Sequence, residues 1–369
     1  MSKIILSGYY GEQNGGDDAL LLVSSWGSRK FLSGDKIYGT CIQKPVLPLN
    51  AEIEALFVQE EQERNENLLR LYRHCYESDL ILFGGGSVFH STDKMTRDSD
   101  LIDLNRGKGA AAIGVSFGPF RDSAAEGACK KLIEKFNYIG CRDEESYELI
   151  RSFSSDVKVE LTFDLAVLLP LVAGENFNGI HTRKGLGISL CHYERYIGGD
   201  TSIEKTRLKK IVNVLNGLHQ EEIEELVFID FNGHPIFGDQ DIHREVIDQL
   251  HTKIPIKHLS YDKDPMDTLR TIASLKGLIG MRLHSSVFGY ITNTPTIILS
   301  YHPKCDGWAK QIQADKEYII PSHSFEEESI WHALEQIIAG QYRYPKLSIK
   351  AAQSLAMKNW EGARWSLSQ

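Results

Sequence analysis

Charged residues stand where apolar runs of this chain break off, and their types fit an anion. Arg282 and His284 follow the run Leu278-Ile279-Gly280-Met281, and Lys304 comes shortly after Thr296-Ile297-Ile298-Leu299. A strand followed by a helix would bring Arg282 and His284 to the carboxyl edge of a parallel sheet, beside the free N–H groups of a helix N-terminus, which favour negative charge. Lys304 would emerge on the same edge. A plainer reading stands next to this one, in which His284 is a hydrogen-bonded structural residue and Arg282 a surface charge.

A second candidate lies near the start. Residues 3–7 read as a strand, Gly8 to Asp18 as a glycine-rich loop, and a helix opens at about Ala19 with Asp17 or Asp18 as its N-cap. The spacing is not GxGxxG and no P-loop lysine follows. Carboxylates suit sugar hydroxyls better than phosphate, so Asn14 and Asp17 are candidate sugar contacts, with a plain helix cap and tight turn as the alternative. Gly84-Gly85-Gly86-Ser87 follows the apolar run 80–83. Three glycines are entropically costly and imply close approach, either to a ligand or to the neighbouring loop after Ser7.

The elements that would position these residues alternate in type. Strands are expected at 36–39, 80–83, 110–117, 137–141, 157–159, 185–190, 225–230, 256–259, 278–281, 296–299 and 318–320. Helices are expected within 51–79 and at 144–152, 202–218, 239–250, 265–275, 285–291, 326–339 and 348–366. Arg142 falls where a strand becomes a helix, and Asp143 beside it fits an ion pair or a helix cap. Periodicity fails at 173–184, where glycine and asparagine gather. The reading is α/β, with two Rossmann-like doubly wound domains facing a cleft. Their bounds are 1–172 and 185–345, with 173–184 as linker and 346–369 as a helix returning to the first domain.

At 369 residues, with 42% hydrophobic and 25% charged residues, the chain has core enough for two domains. A net charge of −9 and the lack of a Lys/Arg-rich run argue against nucleic acid. The six cysteines are scattered without CxxC or metal-ligand spacing, as expected of reduced thiols in the cytoplasm. No stretch approaches the ~18 apolar residues of a membrane span. Any work at a membrane would be a transient visit to its cytoplasmic face.

Taken in order, several motifs resemble the polysaccharide pyruvyl transferase family. They are Gly8-Tyr9-Tyr10-Gly11 with Asn14, Gly16, Asp17 and Ala19; Gly84-Gly85-Gly86-Ser87; Arg142-Asp143 with Ser146; Thr162 with Asp164; Gly280-Met281-Arg282-Leu283-His284; and Ser300-Tyr301-His302-Pro303-Lys304. Gln13 stands where that pattern usually has glycine, and Cys191 where it commonly has a basic residue. The resemblance implies a glycosyltransferase-B-like pair of domains that move the pyruvyl group of phosphoenolpyruvate onto a sugar as a cyclic ketal. It carries function onto Arg142, Arg282, His284 and Lys304. The arginines and Lys304 would bind the donor's carboxylate and phosphate, and Arg282 and His284 would serve the chemistry, the imidazole giving and taking the proton. The second domain becomes the donor side. The first becomes the acceptor side, with Asn14, Asp17, Gly85, Gly86 and Ser87 as contacts to a sugar, lipid-linked saccharide or polysaccharide. No cofactor and no metal are called for. A nucleotide-sugar-dependent glycosyltransferase and a non-catalytic carbohydrate-binding protein are the alternatives.

Overall fold

The computed structural model describes residues 2–56, 64–153, 156–175, 177 and 183–368. Much of the expected linker, residues 176 and 178–182, lies outside them, as do residues 57–63 of the expected helical region 51–79. The chain divides into two compact units. The first comprises residues 1–12, 17–173 and 350–369, and the second residues 13–16 and 174–349.

Among the described residues the first unit is built on a parallel sheet of seven strands: β1 (Ser2–Tyr10), β2 (Gly34–Cys41), β3 (Glu54–Ala55), β4 (Leu80–Phe89), β5 (Ala110–Phe117), β6 (Tyr138–Cys141) and β7 (Lys158–Leu161). Their order is β3-β2-β1-β4-β5-β6-β7. Among its described residues the second holds six parallel strands: β8 (Leu186–Ser189), β9 (Leu226–Ile229), β10 (Ile256–Leu259), β11 (Gly277–Gly280), β12 (Thr296–Ser300) and β13 (Ile319–Pro321). They run in the order β10-β9-β8-β11-β12-β13. Both orders reverse direction once, between β1 and β4 and between β8 and β11, the doubly wound pattern whose ligand crevice opens at that reversal. Central strands are apolar throughout because helices cover both faces. Ile279, Phe228, Ile188 and Ile297 are fully buried in the second core, each contributing roughly 1.5–3 kcal/mol.

Helix Ile349–Ser366 belongs to the first unit. Its Asn359 is fully buried and accepts from Gly114 N (2.9 Å) and Thr162 Oγ1 (3.1 Å), satisfying donors of that unit. Among the described residues no helix is long and apolar enough to cross a membrane.

Several elements differ from the sequence expectation. The first helix starts at Gly15, not near Ala19. Asn14 Oδ1 accepts from Gly16 N (3.0 Å), the bond expected of a cap, so Asp17 and Asp18 fall in the first turn. Strand β4 does not end at the glycines but runs through them, paired with β5 at Gly84↔Ile113 and Gly86↔Val115. Helices Thr92–Leu104, Ser123–Ile133, Tyr193–Ile197 and Pro303–Gln311 have no counterpart in the sequence reading. The first of these hides a charged pair, Lys94 and Asp98, on its buried side, which blurs the apolar period.

Candidate functional site

The second unit's candidate site grows from the end of β11. Met281 N still bonds to Ser189 O of β8 (2.7 Å), and Arg282 then leaves the sheet in extended conformation as N-cap of helix Leu283–Ile291. Its guanidinium reaches Asp239 through Nε (2.9 Å) and Nη2. Asp239 is fully buried, and its other oxygen accepts from Phe231 N and Asn232 N, both at 2.9 Å, at the turn after β9. One carboxylate therefore locks the turn after β9 to the arginine after β11. Burial disfavours the Arg282 charge, but Asp239 outweighs it and the group is held more firmly protonated than a free arginine.

His284 lies two residues on, partly buried in the first turn of the helix. Gly16 faces it so closely that a Cβ at that position would overlap the imidazole ring. The segment around Gly16 is tied to the turn after β9 by Gly15 N to Phe231 O (2.9 Å), Gly233 N to Gln13 O (2.8 Å) and an antiparallel bridge between Asn14 and Asn232. Gln13 adopts φ +56°, a left-handed conformation that glycine takes at lower cost.

Lys304 is the second residue of helix Pro303–Gln311, after the neighbouring strand β12, with Nζ 5.7 Å from the centre of the Tyr301 ring. His302 caps that helix, its Nδ1 accepting from Lys304 N (3.2 Å). Burial first, and the Lys304 charge second, hold His302 down to about 4, so it is neutral at pH 7. Burial pushes the Cys191 thiol up to about 12, so this position adds no charge to the edge.

Arg142 belongs to the first unit, at the end of β6, and is 6% exposed. It donates to Ser116 Oγ (2.6 Å), Asp164 Oδ2 (2.8 Å) and Ser87 Oγ (3.1 Å). Asp143 caps helix Glu144–Ser152 through Ser146 N (2.8 Å). The glycines of β4 meet the protein itself: a Cβ on Gly84 would collide with Ser24 and Tyr10, and one on Gly85 with Leu20. Gly86 is roomier, its hypothetical Cβ 3.6 Å from Asp17 Oδ1. Gly85 and Gly86 both have positive φ, +80° and +85°. Asp17 thus lies beside Gly86 in the first unit, while Asn14 and Gly16 group with Arg282, His284 and Lys304 in the second.

Asp239 was not singled out by the sequence, although an acid just ahead of a helix was the available signal. A second cluster also escaped notice. Asp230 Oδ1 receives His243 Nδ1 (2.5 Å) and His258 Nε2 (2.8 Å), ligand-type atoms that all lie within 4.8 Å of one another. Leu190 N donates to His243 Nε2 (2.9 Å), which puts the ring proton on Nδ1, the nitrogen a cation would need. The cluster therefore reads as a hydrogen-bonded brace between β8, β9 and β10.

Solved structures similar to this chain define the class of fold. A putative UDP-N-acetylglucosamine 2-epimerase from Listeria monocytogenes superposes with TM-score 0.61 at 11% identity, over 96% of this chain and 94% of that one. Sucrose-phosphate synthase from Thermosynechococcus elongatus gives 0.57 at 12% identity, over 100% and 98%. At such identities the likeness is one of fold, and that fold is glycosyltransferase-B-like. Among curated proteins none matches the chain. The family model for polysaccharide pyruvyl transferase matches residues 15–303, and the chain belongs to that family.

Proposed function

We propose that this chain transfers the pyruvyl group of phosphoenolpyruvate to two hydroxyls of a sugar, forming a cyclic ketal and releasing phosphate. The observation that carries the reading is the pairing, at the end of β11, of an arginine braced by a buried carboxylate with an imidazole two residues later, in a chain of this family. Phosphoenolpyruvate is a small dianion or trianion, and a fixed guanidinium offers it a planar, two-pronged contact. Lys304 supplies a point charge for phosphate, and Arg142 is the further arginine assigned to the donor.

In the proposed reaction the donor's methylene carbon gains a proton and becomes methyl, while a sugar oxygen bonds to the central carbon. That oxygen's proton is removed, phosphate departs from the central carbon, and a second hydroxyl closes the ring after losing its own proton. One hydroxyl proton balances the new C–H bond and the other leaves with phosphate. His284 is the proposed carrier, since an imidazole both gives and takes protons near neutral pH. Asn14, Asp17, Gly85, Gly86 and Ser87 are the proposed acceptor contacts, and the work is proposed to occur in the cytoplasm without cofactor.

The test is a thermal-shift titration with phosphoenolpyruvate, with UDP as comparator, on wild type and Arg282→Ala, followed by phosphate release on candidate glycans with His284→Ala. The expected outcome is a rise in melting temperature with phosphoenolpyruvate that Arg282→Ala removes, and no phosphate release by His284→Ala. A shift with UDP and none with phosphoenolpyruvate would refute the proposal.

A further inference from the structure

The first unit holds a cavity of about 450 Å³, of a size that takes small ligands, at the carboxyl edge of its sheet. Its walls come from Tyr9 at the end of β1 and Glu12 beyond it, Ile42 after β2, Leu71 of helix Arg64–Glu77, and Asp93, Lys94 and Arg97 of helix Thr92–Leu104. Those are segments around β1 and β4, the pair at which strand order reverses, where doubly wound sheets open toward ligands. We propose that this cavity seats one neutral pyranose ring of the acceptor, an assignment that rests on the pyruvyl-transfer reading.

The chemistry of the walls selects that class. Lys94 Nζ is bonded to the fully buried Asp98 at 2.7 Å and lies 5.3 Å from the Tyr9 ring centre, so its charge is balanced within the protein. Glu12 and Asp93 are acidic and Arg97 is basic, all three on exposed positions. A phosphate or diphosphate would meet two carboxylates and one guanidinium, and would be repelled on balance. Sugar hydroxyls, which both donate and accept, can use carboxylates and guanidinium together. Tyr9 and Ile42 supply the apolar surface on which the C–H face of a pyranose can rest, while Tyr9 is steadied by stacking with His90 at 5.8 Å. An acceptor in this cavity would be recognised by hydroxyl pattern and ring face, not by charge.

The test is saturation-transfer NMR on the full chain, with methyl β-glucopyranoside and methyl β-galactopyranoside as probes and glucose 6-phosphate as the charged comparator. At least one neutral glycoside should receive saturation in wild type, more strongly than the phosphate. Ile42→Trp, which fills the cavity, should abolish the signal, and Asp93→Asn should weaken the affinity about tenfold, the cost of one charge-assisted hydrogen bond. Asp93 is exposed, so that variant keeps the test meaningful if Ile42→Trp fails to fold. The seat is overturned if no glycoside binds, if glucose 6-phosphate binds better, or if folded Ile42→Trp and Asp93→Asn bind glycosides as wild type does. Phosphoenolpyruvate-dependent melting is followed in parallel. Loss of glycoside binding with that shift intact refutes the seat alone, whereas glycoside binding without the shift refutes the donor reading alone.

Discussion

Replacing Gly16 by alanine sets two effects of opposite sign against each other. Gly16 lies in the first turn of a helix and its φ is not positive, so alanine fits the backbone and should stabilise the helix by up to about 1 kcal/mol. Against this, the new methyl would occupy the space of the His284 ring, and overpacking of this kind costs about 1–3 kcal/mol. The overlap is too deep for a few tenths of an ångström to relieve, so the steric cost wins and the net change is a destabilisation of about 1–2 kcal/mol. Gly15→Ala is the matched control: its Cβ would find Phe231 O at 3.7 Å, ordinary contact, and the variant should be as stable as wild type or slightly more so. Urea unfolding measures both stabilities, and the His284 ring resonances report displacement of the imidazole without any assay of turnover. If the imidazole is the proton carrier, a displacement of about 1 Å should also lower turnover about 100-fold. Gly16→Ala that matches Gly15→Ala in stability and leaves the His284 resonances unmoved would refute the packing argument.

Asp239→Asn should destabilise the protein by about 3 kcal/mol in urea, near the low end for a broken buried pair because Arg282 retains some exposure; a loss below about 1 kcal/mol would show that Asp239 does not brace the edge. His302 gives a pH dependence with a definite sign. Its folded pKa of about 4 lies below the unfolded reference near 6.5, so the unfolded chain binds the extra proton first and stability falls as pH drops between those values. His302→Gln should flatten that part of the curve, and parallel curves for wild type and variant would exclude the effect.

The strand-to-helix junctions were the most readable features. Arg282 and His284 follow a short apolar run of the kind that forms a buried strand, and a place at the edge of a sheet could be expected for them from neighbouring residues. Helix Glu144–Ser152 was equally legible, since Asp143 announces it as a cap. What stayed hidden depended on contacts far apart in the chain. Asp239 meets Arg282 across 43 positions, and no local pattern marks that partnership. The triple glycine shows the same limit: its composition signalled close approach, but only packing shows that Leu20, Ser24 and Tyr10 make that approach at Gly84 and Gly85. Lys94 and Asp98 hid a helix, because two buried charges that neutralise each other look in sequence like an exposed face.

The return of helix Ile349–Ser366 to the first unit has a consequence for synthesis. Gly114 is made early, yet the amide oxygen that accepts from its N–H belongs to Asn359, which leaves the ribosome only after every strand of the second sheet. All seven strands of the first sheet are made before then, but the face covered by this helix must wait while the second sheet is being translated. The nascent chain spends that interval with an uncovered face, the condition in which aggregation and chaperone capture compete with folding.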